Sequence, residues 1–100
     1  MSEYVICFTA ENPGVLDAAA SERLAGAAHA IPGTRPVGPV MVDHDRRRIQ
    51  AGFAIDVEQA MAEAARGGGR LAKEMLMAAR LPEARLVEMS VRLDGLRSTD

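Results

Sequence analysis

The feature that most constrains this chain is the order in which its hydrophobic period changes. Between Glu3 and Ala10, Tyr4, Ile6 and Phe8 alternate with Val5, Cys7 and Thr9, the period of a strand. After the stop Asn12-Pro13-Gly14, Leu16, Ala20, Leu24, Ala27, Ala28 and Ile31 recur at helical spacing, with Asn12 or Asp17 available as cap and Pro32-Gly33 as terminator. Thr34 to Gly38 reads as a loop rich in Pro and Gly, and Val40, Met41 and Val42 as a short strand at a sheet edge. A turn over Asp43 to Arg47 leads into a second alternation at Ile49, Ala51, Phe53 and Ile55. A second helix is expected from Val57 to Arg80, with Asp56 and Gln59 as a capping box. Its apolar phase, which includes Met61, Ala64, Gly68, Ala72, Met75 and Ala79, passes straight through Gly67-Gly68-Gly69, where a kink or bulge is expected. Leu86 to Leu93 forms the last strand, with Val87, Met89, Val91 and Leu93 on one face.

Strand, helix, strand, strand, helix, strand, joined by right-handed crossovers, predicts an α+β fold of ferredoxin-like β-α-β-β-α-β type. It would be a four-stranded antiparallel sheet in the order 4-1-3-2 with both helices on one face, formed by residues 1–94 as one domain, with 95–100 as a flexible tail. Tyr4, Ile6, Phe8, Phe53, Ile55, Met89 and Val91 should lie under the helices. The other face should carry Val5, Cys7, Thr9, Met41, Gln50, Gly52, Ala54, Leu86, Glu88, Ser90 and Arg92.

Composition narrows the function classes. Of the 48% apolar residues, 18 are Ala, and only two Phe and one Tyr supply large rings, so a monomer has few anchors and a second copy could add buried area. Val5, Met41, Ala54 and Leu86 on a bare sheet face would leave an apolar patch, which predicts a dimer or larger homo-oligomer. A net charge of −2, with the only basic run Arg46-Arg47-Arg48 flanked by Asp43 and Asp45, argues against nucleic acid. The apolar stretch from Tyr4 is too short for a signal peptide or a membrane span, so a cytoplasmic, membrane-free protein is expected. Eleven Arg against one Lys is a bias associated with high-GC bacteria.

Few residues suggest chemistry. The single Cys7 excludes an internal disulfide, and no Cys or His spacing suits zinc, so no metal and no cofactor is expected. His44 sits between Asp43 and Asp45 on a turn where neighbouring side chains point apart, and His29 fits a helix C-terminus; neither is assigned a role. Gly67-Gly68-Gly69-Arg70 lacks the strand-loop-helix setting of a phosphate loop. Cys7, Gln50, Glu88 and Arg92 are the open-face candidates for a small polar ligand, with an ion pair between Glu88 and Arg92. No catalytic residue is assigned.

Glu11-Asn12-Pro13-Gly14-Val15-Leu16 resembles the acidic-x-Pro-Gly-hydrophobic-Leu turn of ACT domains, over about the first thirty residues. The resemblance implies a regulatory module binding amino acids or related small molecules where two copies meet, with Glu11, Asn12 and Gly14 lining the ligand end of the turn. The leading expectation is therefore a non-catalytic small-ligand-binding or protein-interaction module that self-associates through its open sheet face. The alternative is a small cofactor-independent oxygenase or isomerase of the dimeric α+β barrel type, with its pocket between helices and sheet.

Overall fold

The computed structural model describes residues 2–57 and 61–96. Strands β1 (Ser2–Glu11), β2 (Thr34–Pro36), β3 (Met41–Asp43), β4 (Arg48–Val57) and β5 (Arg85–Leu96) form one antiparallel sheet, and helices α1 (Ala20–Ala30) and α2 (Met61–Ala78) follow β1 and β4. The sheet order is β2-β4-β1-β5, with β3 also paired to β4. The chain is thus α+β, as expected, but with five strands rather than four.

The extra strand is the segment expected to be a loop. Thr34–Pro36 pairs with the C-terminal half of β4, Pro36 opposite Phe53, while Met41–Asp43 pairs with its N-terminal half, Asp43 opposite Arg48. Proline is tolerated there because an edge strand leaves one side of its backbone unpaired. Between the two strands the chain bends at Gly38, whose φ of 72° suits glycine. Val37 lies over Gly52, donating its N–H to the Gly52 carbonyl at 3.0 Å. A Cβ on Gly52 would stand 2.8 Å from the Val37 carbonyl oxygen.

Both helices bury their apolar sides against the face that carries Tyr4, Ile6, Phe8, Ile49, Phe53 and Ile55, the side anticipated from the alternation. Phe8 and Phe53 meet edge to face with ring centroids 6.2 Å apart. Met89 and Val91 pack on the margin of this core.

The long α2 remains α-helical at every residue from Met61 to Ala78, so the expected bulge at the glycines is absent. Gly68 falls on the buried stripe and rests against the Ile6 side chain, whereas Gly67 and Gly69 have nothing within 4 Å of their Cβ positions. Close approach at one glycine holds the helix on the sheet. The flanking pair leaves its course unobstructed.

Element ends depart from expectation for local reasons. Asp56 and Val57 continue β4, with Asp56 opposite Glu3, so Asp56 does not begin the helix; Gln59, its expected capping partner, lies outside the described residues. α1 starts at Ala20 with no side-chain cap, because Asn12 instead donates its amide to the Gly14 carbonyl at 2.9 Å. Asp17 accepts the Ala19 N–H at 3.1 Å in a turn preceding the helix. α2 closes in a Schellman arrangement: Leu81 N–H reaches the Leu76 carbonyl at 2.8 Å and Arg80 N–H the Met77 carbonyl at 3.0 Å. Arg80 takes the left-handed position usually given to glycine, with φ of 64°. β5 runs to Leu96, beyond the expected end at Leu93; residues 97–100 of the expected tail lie outside the described residues.

Candidate functional site

On the helix-free face the register sets the open-face residues in rows. Cys7 lies between Gly52 and Ser90, Thr9 between Gln50 and Glu88, and Val5 between Ala54 and Arg92. Cys7 is a half-buried free thiol. Gln50 and Glu88 are exposed, and among the described residues neither side chain has a hydrogen-bonding partner. Glu88 and Arg92, expected to pair, stand four positions apart on one strand. Four steps of strand set their Cα atoms about 13 Å apart, and Glu88 makes no ion pair among the described residues.

The row through Thr9 borders an open cleft of about 300 Å³. Thr9 and Gln50 meet Met41, Asp43 and Arg46 of the hairpin there, and Glu88 closes the opposite side. Asp43 and Arg46 keep a loose exposed contact at 3.8 Å, and the Asp43 carboxylate also accepts the Arg46 N–H at 3.2 Å. Opposite charges, an amide and a hydroxyl thus border one concavity beside the thioether of Met41, which is 59% exposed. Such a set can hold a small zwitterion through charge-assisted hydrogen bonds while an apolar group lies on Met41.

The apolar patch expected on this face is not there. Val5 and Ala54 are buried at 4% and 3% exposure. The Arg35 guanidinium on β2 bonds to the Glu3 carboxylate on β1 at 3.0 Å, so the pair crosses β4 on this face where Ala54 stands opposite Arg35. Leu86 belongs to the core side instead. An irregularity in β1–β5 pairing between Thr9 and Ala10 takes up Val87, so Leu86 comes opposite Ala10 and packs against the core.

The three turn residues do not converge. Glu11 faces the open side, where its carboxylate lies 3.4 Å from Arg48 and 3.6 Å from Arg85, tying β4 and β5 to β1. Asn12 and Gly14 border a separate notch of about 240 Å³ with Asp17, Arg23 and Arg80. Its polar groups are largely engaged in holding the fold. Arg23 contacts both Asp17 oxygens at 2.9 and 3.0 Å and donates its Nε–H to the Ala79 carbonyl at 2.8 Å. The Arg23 hydrogen bond holds the Asp17 carboxyl below its ordinary value. Arg47, left-handed at φ of 55°, donates to the Pro13 carbonyl at 2.8 Å. Its own carbonyl accepts the Asn12 N–H at 2.8 Å.

The contacts of Arg23 and Arg35 and the backbone positions of Arg47 and Arg80 have no counterpart in the sequence pattern. Nothing local marks Arg47 or Arg80 as left-handed, and Arg35 and Glu3 are 32 positions apart in sequence. His44 stands in the tight turn of the β3–β4 hairpin, and among the described residues no His, Cys, Asp and Glu group could hold a metal ion. Among the described helices none is long and apolar enough to cross a membrane. A third concavity, an apolar groove of about 620 Å³ bordered by Leu76, Met77, Leu81, Pro82 and Leu86, follows the seam of α2 and β5. No family model matches the chain, and no curated protein matches it.

Proposed function

We propose that the protein is a non-catalytic, self-associating module that binds a small polar ligand, of the amino-acid class, on its helix-free sheet face. The observation that carries this reading is the row Gln50–Thr9–Glu88 beside the cleft: two exposed polar side chains with no internal partner, next to the Asp43–Arg46 pair. A ligand's ammonium and carboxylate match that distribution of charge. The resemblance of the Glu11–Leu16 turn to ACT domains points to the same ligand class, although Glu11, Asn12 and Gly14 are engaged in contacts of their own. The fold fits a ferredoxin-like reading when β2 and β3 are taken as two halves of one edge strand, which gives the order 4-1-3-2.

The barrel-enzyme alternative asks for a polar pocket between helices and sheet. That interior is occupied by Ile6, Phe8, Leu24, Phe53 and Met75, all fully buried. The groove on the α2–β5 seam is larger but lined mainly by apolar side chains, so the cleft on the opposite face is the better place for a polar ligand.

Thermal unfolding with each free α-amino acid as probe, at about 10 mM, tests the proposal. A ligand at about one hundred times its Kd adds about 2.7 kcal/mol and raises the midpoint by roughly 10–20 °C in a chain of this size. At least one amino acid should do so, and the combined Thr9→Val and Gln50→Ala substitutions should abolish the shift. No shift with any probe, or a shift that survives both substitutions, would overturn the proposal.

A further inference from the structure

β5 ends the sheet, so its outer backbone edge has no strand beside it among the described residues. It is 12 residues long and contains no proline. An edge strand presents unpaired N–H and C=O groups that can pair with another strand. Between its two irregularities, Glu88 to Leu93 stays in regular register with β1. Glu88, Ser90, Arg92 and Leu93 are exposed, while Met89 and Val91 are half-buried.

We infer that two copies of this chain join β5 to β5 in antiparallel register about a two-fold axis through Ser90, extending the sheet across the dimer. In such a pairing residues directly opposite share a face, so only registers that match parity are allowed. With the axis at Ser90, Glu88 of each copy stands opposite Arg92 of the other, giving two opposite-charge pairs. Met89 comes opposite Val91, both half-buried. Moving the axis by one residue sets Glu88 or Arg92 against Ser90. Moving it by two sets Glu88 against Glu88 or Arg92 against Arg92, which repels. The regular stretch Glu88-Met89-Ser90-Val91-Arg92 is thus self-complementary in one register. Arg92 already has an interaction within its own chain, but a guanidinium has five N–H donors and can serve a second carboxylate. The same pairing places the second copy's Arg92 beside Glu88 at the rim of the ligand cleft.

This inference supplies the surface for the self-association in the functional reading and does not depend on the ligand. Sedimentation equilibrium of the full chain should show a dimer. Arg92→Glu and Glu88→Arg should each weaken it by roughly tenfold or more, since each change repeats twice across the axis. The double charge exchange should restore it. In a Cys7→Ser background, Ser90→Cys should cross-link two copies under mild oxidation, whereas Glu88→Cys alone should not. Circular dichroism of each variant checks that the monomer fold is retained. A monomer at about 100 μM, or a dimer whose affinity ignores both reversals and whose Ser90→Cys form does not cross-link, would overturn the inference. Ligand-induced shifts in midpoint are read separately, so failure of the dimer and failure of the cleft are distinguishable.

Discussion

Replacing the three consecutive glycines of α2 one at a time by alanine should stabilise at the two flanking positions and not at the middle one. At Gly67 and Gly69 the new Cβ meets nothing within 4 Å, and both residues are helical, so each change should stabilise by about 0.4–1 kcal/mol. At Gly68 the same methyl would overlap the Cδ1 of Ile6 and stand 3.2 Å from its Cγ1 and 3.3 Å from its Cγ2. Ile6 is completely buried, and a packed interior that must shift to admit a methyl costs about 1–3 kcal/mol. Set against the gain of about 1 kcal/mol in helix propensity, Gly68→Ala should range from neutral to about 2 kcal/mol destabilising. Urea unfolding of the three variants measures the contrast. Ile6→Val, which removes Cδ1 and alone costs about 0.5–1.5 kcal/mol, should recover part of the loss when combined with Gly68→Ala. If Gly68→Ala were as stabilising as its neighbours, or the pair were strictly additive, the contact that seats α2 on the sheet would be refuted.

At Gly52 the obstacle is backbone rather than side chain, because the Val37 carbonyl oxygen would stand 2.8 Å from a new Cβ. Gly52→Ala should therefore destabilise by about 1–3 kcal/mol in the same denaturant assay and loosen β2 from β4 in amide exchange. Arg80→Gly should stabilise by about 1 kcal/mol, since a left-handed C-terminal position costs an L side chain about 1–2 kcal/mol and glycine nothing comparable. Asp17 carries a pH signature: its depressed carboxyl stabilises the fold above the unfolded value of 3.8 and loses that contribution as pH falls through its lower folded value. Asp17→Asn should then be less stable than the parent at neutral pH, and the difference should vanish in acid titrations followed by circular dichroism.

The helix-and-sheet plan was readable because long alternating runs commit to a face. Tyr4, Ile6 and Phe8 had no other way to be buried together, and the α2 stripe kept its phase through three glycines. What escaped was set by contacts remote in sequence or by single-residue slips. Thr34–Pro36 is a strand only because β4 is long enough to host two short partners on one edge. Leu86 changed sides because Val87 is taken up by an irregular pairing, and period-two reasoning inverts every residue beyond such a point. The apolar patch is absent because Val5 and Ala54 are buried and Leu86 turns to the core side, and no local pattern announces the Arg35–Glu3 pair that crosses β4 at Ala54. At the candidate site, Gln50 and Glu88 stand on either side of Thr9 in one row of the sheet. Their convergence on Thr9 needed the strand register, and their meeting with Asp43 and Arg46 needed the hairpin's position beside them.

Backbone amide shifts recorded while a midpoint-raising amino acid is titrated into the isotopically labelled chain locate the ligand directly. Saturable changes should concentrate at Thr9, Met41, Asp43, Gln50 and Glu88, on one face of the sheet. Changes centred instead on Asn12, Gly14 and Arg80, or no saturable change at any amide, would contradict binding at the cleft.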